Sequence, residues 1–483
     1  MAIDPRTPVI IGRAQVSGGP PDVDDPTTAV GLMTSAGVEA LTDAGINADT
    51  LDTVAVTGGL FSDPNPAHTI AQSLRTGPAT TILTTWGGNT PIAFVGELSR
   101  RIMAGGVDVA LYLGGEANAT RDALRRQGHS APRSPKSDVV PELWGAPLVM
   151  ADKVDVERGA ELPRNNYAIF HSACRSNAGE SLRQSRELDA ELWAEFALVA
   201  ADNPHAVDRS AMTAREIATP SPNNRMVSFP YTKALCANNR VDHAGALIIA
   251  SAEAADRLGV SRDRWVFVHD TLSATDTDSF LPRKHLHEVP GLHSLARQIS
   301  HRWDLSEFSH FDLYGCFPSI VRYTADALRL DRAGPLTVTG GLGFMGAPLN
   351  FAAGQSLIEM VARLRDDAGS FGLVQGNGGQ AAKHSFGIYS TTPPTESATF
   401  HKIVADEVSV PPADPHSAGE AVIDGATVEF DHRGPVRAVA ICRMVDGGRL
   451  WATSTNPSEI SSVLDHEPVS LSVYVSGGLF VLS

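Results

Sequence analysis

Ile82–Ala117 reads ILTTWGGNTPIAFVGELSRRIMAGGVDVALYLGGEA. The β-branched run Thr80–Thr84 predicts a strand, which enters the glycine turn Gly87-Gly88. Thr90 at the cap and Pro91 at the first helical position then start a helix running to about Ala104. Gly105-Gly106 ends it, and Val107–Leu113 is a second strand, closed by Gly114-Gly115. Strand, helix and strand in this rhythm make a sheet covered by helices on its faces. The free N–H groups at the helix start can hold an anion or an oxyanion. Turn chemistry alone accounts for the same residues.

The same rhythm extends outward. Pro8–Ile11 and Thr53–Val56 read as strands around a helix over Thr28–Ala44, with Asp25 or Thr27 near its start and Gly45 at its end. This first α/β unit spans residues 1–119. Residues 120–235 differ: basic and prolyl segments (Arg121–Arg126, Arg133–Lys136) precede long helices over Asn166–Glu187 and Ala190–Asp202, with no clear strand. They read as an inserted, mainly helical domain. Alternation returns over 236–390, including Ala244–Ala250, Trp265–His269, Leu336–Gly341 and Phe386–Ser390, as a second round of the first unit. Thr391–Thr395 reads as a linker. Residues 395–483 carry short alternating runs (Ala421–Phe430, Val436–Val445, Arg449–Thr453, Val469–Val475, Leu479–Leu482) with glycine turns between them, the pattern of a small antiparallel barrel.

Composition narrows the partners. The chain of 483 residues holds 39 Lys+Arg against 55 Asp+Glu, a formal net charge of −16. A nucleic acid or an anionic membrane needs a cationic face, so neither is expected as a partner. From Thr395 onward, 5 basic residues face 12 acidic ones, the wrong sign for an oligonucleotide-binding barrel. Cys174, Cys236, Cys316 and Cys442 stand singly, with no C-x-x-C, as in a reduced, cytoplasmic protein. The N-terminus has no basic segment followed by a long apolar one, so no signal peptide is expected. His285, His287, His293 and Glu288 cluster without a standard ligand spacing, and no metal is expected.

Three further segments can carry chemistry. In FDLYGCFPS (Phe311–Ser319) Cys316 follows a strand and precedes a helix start, where a thiol's pKa can fall; a small buried apolar cysteine is the other reading. TGGLGFMGAPLNFAAGQSL (Thr339–Leu357) is not G-x-G-x-x-G and lacks the acidic residue about 20 positions on, which excludes a dinucleotide loop. In QGNGGQAAKHSFGIYS (Gln375–Ser390) a glycine turn precedes His384, either a general base or a structural histidine.

Taken in order, these segments resemble the thiolase superfamily across about residues 5–390, in particular the thiolase-like proteins of type 1 related to the sterol-carrier-type thiolases. GGVDVALYLGGEA resembles the end of the nucleophile segment, YAIFHSACRSNAG with DNPHA (Asp202–Ala206) the helical loop domain, and LCANNRVDHAGALIIAS (Leu235–Ser251) the pantetheine loop. YGCFPS resembles H-D-C-F-S, GGLGFMGAP resembles G-G-x-x-x-x-G-H-P, and QGNGGQ the terminal glycine turn. The resemblance implies a thiolase fold, a duplicated αβαβα core with a helical loop domain, here followed by the C-terminal barrel. It also implies a site for coenzyme A or acyl-CoA as ligand, lined by Cys236, Asn238 and Asn239. The barrel faintly resembles the small oligonucleotide-fold domains that accompany some relatives.

The family's chemistry does not carry over with the fold. The nucleophile position falls at Gly88 or Asn89, and the histidine of G-H-P is Ala347. Tyr314 and Gly315 stand where H-D-C-F has its histidine and acid, and Gln375 near the terminal-turn cysteine; only Cys316 matches in kind. Covalent acyl transfer needs a thiol with a base to activate it. The expectation is a thiolase-like protein of lipid metabolism that binds acyl-CoA, resembles an acetyl-CoA acetyltransferase, and does not catalyse thiolysis or Claisen condensation. The alternatives are a divergent acyltransferase or lyase using Cys316 with His384 or Tyr314, and a scaffold acting through the barrel. The family usually dimerises through an edge strand near the nucleophile loop; homodimer and monomer both remain open.

Overall fold

The glycine turn after Ile82 does feed a helix, and the elements on either side build the first half of the core. In chain order these are β1 (Pro8–Ser17), α1 (Ala29–Ala44), β2 (Thr53–Val56), α2 (Pro66–Leu74), β3 (Thr80–Thr84), α3 (Thr90–Met103) and β4 (Val109–Ala117). Thr28 caps α1 by accepting from the Gly31 amide at 3.1 Å, and Gly45 closes it in the left-handed conformation. The cap of α3 lies one residue earlier than expected, at Asn89, with Pro91 at the second helical position. The computed structural model describes residues 3–132, 137–147, 153–160, 162–396, 398–404 and 409–483; the prolyl segment Arg133–Lys136 lies outside the described residues.

The insertion holds α4 (Asn118–Arg126), β5 (Glu142–Trp144), α5 (Lys153–Glu157), α6 (Pro163–Ala178), α7 (Leu182–Asp202), α8 (Ala214–Ala218), β6 (Met226–Ser228) and β7 (Tyr231–Thr232). The helix expected over Asn166–Glu187 therefore breaks. Gly179 ends α6, and a reciprocal Ser181–Gln184 capping box opens α7. Nor is the insertion free of strands. β5 pairs in parallel with β3 at the sheet edge, tied by Arg101 to Glu142 (3.0 Å) and by Trp144 against Phe94. A strand this short has no periodicity to read, because its partner is distant in sequence.

The second half runs β8 (Asp242–Ser251), α9 (Ala252–Arg257), β9 (Val266–Thr275), α10 (Pro290–Arg302), β10 (Phe308–Asp312), α11 (Pro318–Leu328), α12 (Gly341–Phe344), α13 (Ala352–Asp366), β11 (Phe371–Gly378), β12 (Lys383–Ser390) and β13 (Thr399–Val404). Four strands of each half share one order, β2-β4-β8-β1 matching β10-β11-β12-β9, with β3 beyond β2 in the first. The first sheet runs β3-β2-β4-β8-β1 and the second β10-β11-β12-β9, joined where β1 meets β9 at Val9–Phe267 and Ile10–Val266. The strand expected over Leu336–Gly341 is absent. Its backbone instead hangs from the buried Asp312 carboxylate, which accepts from the Val338 and Thr339 amides at 2.9 and 3.0 Å. β13, expected as the start of the barrel unit, adds to β9 in the core.

Helices α3 and α13 form the middle layer between the two sheets, so they are buried on several faces. α1 and α2 cover the outer face of the first sheet, and α10 and α11 that of the second. Gly114 sits where this packing is tightest: a Cβ there would stand 2.1 Å from the Phe351 ring.

The barrel comprises β14 (Ala418–Phe430), β15 (Pro435–Met444), β16 (Arg449–Ser454), α14 (Pro457–Asp465), β17 (Ser472–Ser476) and β18 (Leu479–Leu482). Its five strands close in the order β14-β15-β16-β18-β17, with β17 returning to β14. All contacts are antiparallel except β16–β18, a single parallel pair. Arginines seat the barrel on the rest. Arg158 donates to the Pro415 carbonyl (2.8 Å), Arg175 pairs with Glu467 (3.1 Å), and Arg449 donates to the Lys284 carbonyl (3.0 Å). No helix among the described residues is long and apolar enough to cross a membrane.

Replacing Gly114 by Ala overpacks the Phe351 site and is expected to lower stability by about 1–3 kcal/mol, read from the midpoint of chemical denaturation. An unchanged midpoint would show that the layers can part at no cost.

Candidate functional site

A cleft of about 1710 Å³ opens between the inserted helical domain and the core. Its floor is made from the ends of core elements: Gly87-Gly88 before α3, Cys316-Phe317 before α11, and Asn377–Gly379 where β11 ends. Ala347 and Leu349 close one side, and Cys236–Arg240 another.

The Cys236–Arg240 loop is pinned by its own backbone. The Ala237 amide donates to the Cys316 carbonyl (3.0 Å), the Asn238 amide to Leu342 (3.0 Å), and the Asn238 carbonyl accepts from Ala347 (2.9 Å). Asn118 Nδ2 donates to the Asn239 carbonyl at 3.0 Å. Cys236, Asn238 and Asn239 thus lie together on the cleft wall.

Gly88 lines the floor and has no room for a side chain. A Cβ built there would stand 2.3 Å from Tyr314 Oη and 2.3 Å from the Asn377 carbonyl oxygen. The phenol of Tyr314 therefore occupies the space into which a side chain at position 88 would point. Asn89 lies behind this turn as the cap of α3, its Oδ1 buried without a hydrogen-bond partner among the described residues. Cys316 and Tyr314 meet at the floor, both buried. Burial pushes the Cys316 thiol up to about 12, against the opposing pull of the Tyr167 hydroxyl and the Asn377 amide. Burial also raises Tyr314, with further repulsion from Cys316. Both groups are therefore neutral at pH 7.

His384 is not part of this assembly. It lies outside the cleft lining, fully buried, hydrogen-bonded to the Ala381 carbonyl (3.2 Å) and 3.8 Å from Asp276. Burial pulls its imidazole down to about 3, which holds it neutral at pH 7. The four histidine and glutamate residues at 285–293 form no metal-holding group among the described residues.

Several lining residues escaped sequence reading. Tyr167 on α6 accepts from Asn377 Nδ2 at 2.6 Å and from the Ala381 amide at 3.2 Å, and Asn377 Nδ2 lies 3.9 Å from Cys316 Sγ. Both residues stood within the quoted segments, yet nothing in either segment says that they meet. The helical-domain wall also carries Arg164, Arg215, Arg225 and Lys233. Six basic side chains line the whole cleft against three carboxylates, in a chain of net charge −16. These cations come from separate elements and show no run in the sequence.

A doubled sheet with a shared strand order, a buried helix layer and a cleft at the glycine turns defines a thiolase-like α/β protein, and the chain belongs to the thiolase-like superfamily. A monomeric SCP2-thiolase-like protein type 1 from Mycobacterium smegmatis aligns with it over 100% of both chains, at 28% identity and a TM-score of 0.83. The fold extends to human mitochondrial 3-ketoacyl-CoA thiolase (16% identity, TM-score 0.57, 80% of this chain and 100% of that one). It extends likewise to the Ltp2–ChsH2(DUF35) aldolase (16% identity, TM-score 0.58, 80% and 98%). No family model and no curated protein matches the chain by sequence.

Two outcomes check this geometry. A thiol of pKa about 12 is roughly 0.01% thiolate at pH 8. Alkylation of Cys316, followed by mass spectrometry, is therefore expected to be far slower than that of a small free thiol and to rise with pH. Gly88→Cys is expected to cost about 1–3 kcal/mol of stability through its clash with Tyr314 and with the Asn377 carbonyl, and Tyr314→Ala in the same chain not to restore it, because the backbone carbonyl stays in place.

Proposed function

We propose that this chain binds coenzyme A or an acyl-CoA in the cleft and does not form an acyl-enzyme. The observation that carries the reading is the pairing of a cationic wall with a neutral floor. Arg164, Arg215, Arg225 and Lys233 suit the phosphates of the nucleotide. The small, backbone-pinned Cys236–Asn239 loop suits the pantetheine arm leading to the floor. There, Gly88 and Ala347 offer no thiol and no imidazole, so a thioester reaching the floor has no nucleophile of the thiolase kind to meet. A cytoplasmic protein of lipid metabolism fits the same reading.

Calorimetric titration with CoA is expected to show binding that weakens at least about tenfold in Arg225→Ala/Lys233→Ala, since each lost cation leaves a phosphate unpaired. Heat changes absent at millimolar CoA would refute the reading. A coupled assay with acetoacetyl-CoA and CoA is expected to give no turnover.

A second reading has its own support. Tyr314, Cys316, Tyr167 and Asn377 converge at the floor, a set of neutral acids and amides able to move a proton at a bound thioester. It favours a divergent acyltransferase or lyase, with His384 left out of the machinery. Loss of acyl-CoA turnover in Tyr314→Phe, with binding retained, would select it.

The same proposal takes the chain as a monomer, because β5 already occupies the free edge of β3, the strand nearest the glycine turn. Light scattering is expected to return about 51 kDa. A mass near twice that would show that β5 leaves a dimer face open.

A further inference from the structure

Trp86 and Leu60 belong to the core side of the cleft lining, whose helical-domain side carries the arginines, and both are exposed, Trp86 at 46% and Leu60 at 44%. An exposed indole forgoes a large apolar contact, and two large apolar side chains at the mouth of a cleft mark a place where something apolar is held. Neither residue sits on loose backbone. Asn350 ties their two loops together: its Oδ1 accepts from the Gly87 amide at 3.1 Å and its Nδ2 donates to the Gly58 carbonyl at 2.8 Å. The indole lies so close to Gly58 that a Cβ there would stand 3.2 Å from Trp86 Cδ1. The Leu60 amide donates to the buried Glu116 carboxylate at 2.8 Å, and its carbonyl accepts from Arg121 at 2.7 Å. Two apolar side chains are thus presented on a backbone fixed from both sides.

The cleft lining therefore joins cations on the helical domain, Arg164, Arg225 and Lys233, with the apolar side chains of Leu60 and Trp86 on the core and a neutral floor at Gly88 and Cys316, Arg121 being tied to the Leu60 carbonyl. An acyl thioester of coenzyme A combines the matching parts: phosphates, a hydrocarbon and a thioester. We infer that Trp86 and Leu60 form an acyl-binding lip and that the ligand is a thioester with an apolar acyl chain rather than a short or charged one. The inference rests on the CoA reading above.

Affinities for CoA and for octanoyl-CoA, measured side by side by calorimetry, test it. The unaltered protein is expected to bind octanoyl-CoA at least about tenfold more tightly than CoA, from the apolar area that the chain would bury. Trp86→Ala is expected to remove most of that preference while leaving CoA affinity unchanged, Leu60→Ser to reduce it, and Trp86→Phe to keep it. Equal affinities in the unaltered protein, or a preference that survives Trp86→Ala, overturns the lip while the CoA reading stands. An equal loss for both ligands in Trp86→Ala also overturns it. Binding of neither ligand to the unaltered protein overturns both.

Discussion

The close fit of Phe351 against glycine is the constraint on which the rest of the molecule depends. A Cβ on Gly114, Gly354 or Gly245 would fall 2.1, 2.4 or 3.1 Å from its ring. Interiors are packed nearly as densely as organic crystals, so a site this full leaves the first sheet and the central helix layer one way to meet. Phe351 directly follows Leu349 and Asn350, and Asn350 holds the loops at Gly58 and Gly87. Core packing is thus transmitted through two residues to the cleft.

Much of the architecture was legible because it rests on local signals. The glycine turn at Gly87-Gly88, the span of α1 with Gly45 at its end and the barrel strands all follow from spacing and turn residues, although the residue that caps α1 is Thr28 and not Asp25 or Thr27. Apart from the break at Gly179, which is local, the main misreadings share one physical origin, which is that the deciding partner lies far away in sequence. β5 exists only because β3 pairs with it. Leu336–Gly341 has the composition of a strand, yet a single buried carboxylate takes its amides. His384 has the right residue type for a base, and its complete burial outside the cleft lining could not be read from the sequence. The cationic wall was invisible for the same reason, since Arg164 and Lys233 are brought together by the fold alone.

The electrostatics of the floor and the wall run in opposite senses. Burial suppresses ionisation at Cys316 and Tyr314, while the helical domain keeps its arginines at the cleft surface. Charge is thus concentrated on the helical-domain wall and withheld at the floor. Tyr314 reinforces this by filling the space above Gly88, so the absence of a thiol there is built into the packing.

The seating of the barrel has a consequence for the cleft. The inserted helices are fastened in front to the core, where α6 packs on α11, and behind to β14, where the Ala426 amide donates to Ser172 Oγ at 3.0 Å. The inserted helices therefore have packing partners on both faces, and the outline of the cleft entrance is set by the core and the barrel together.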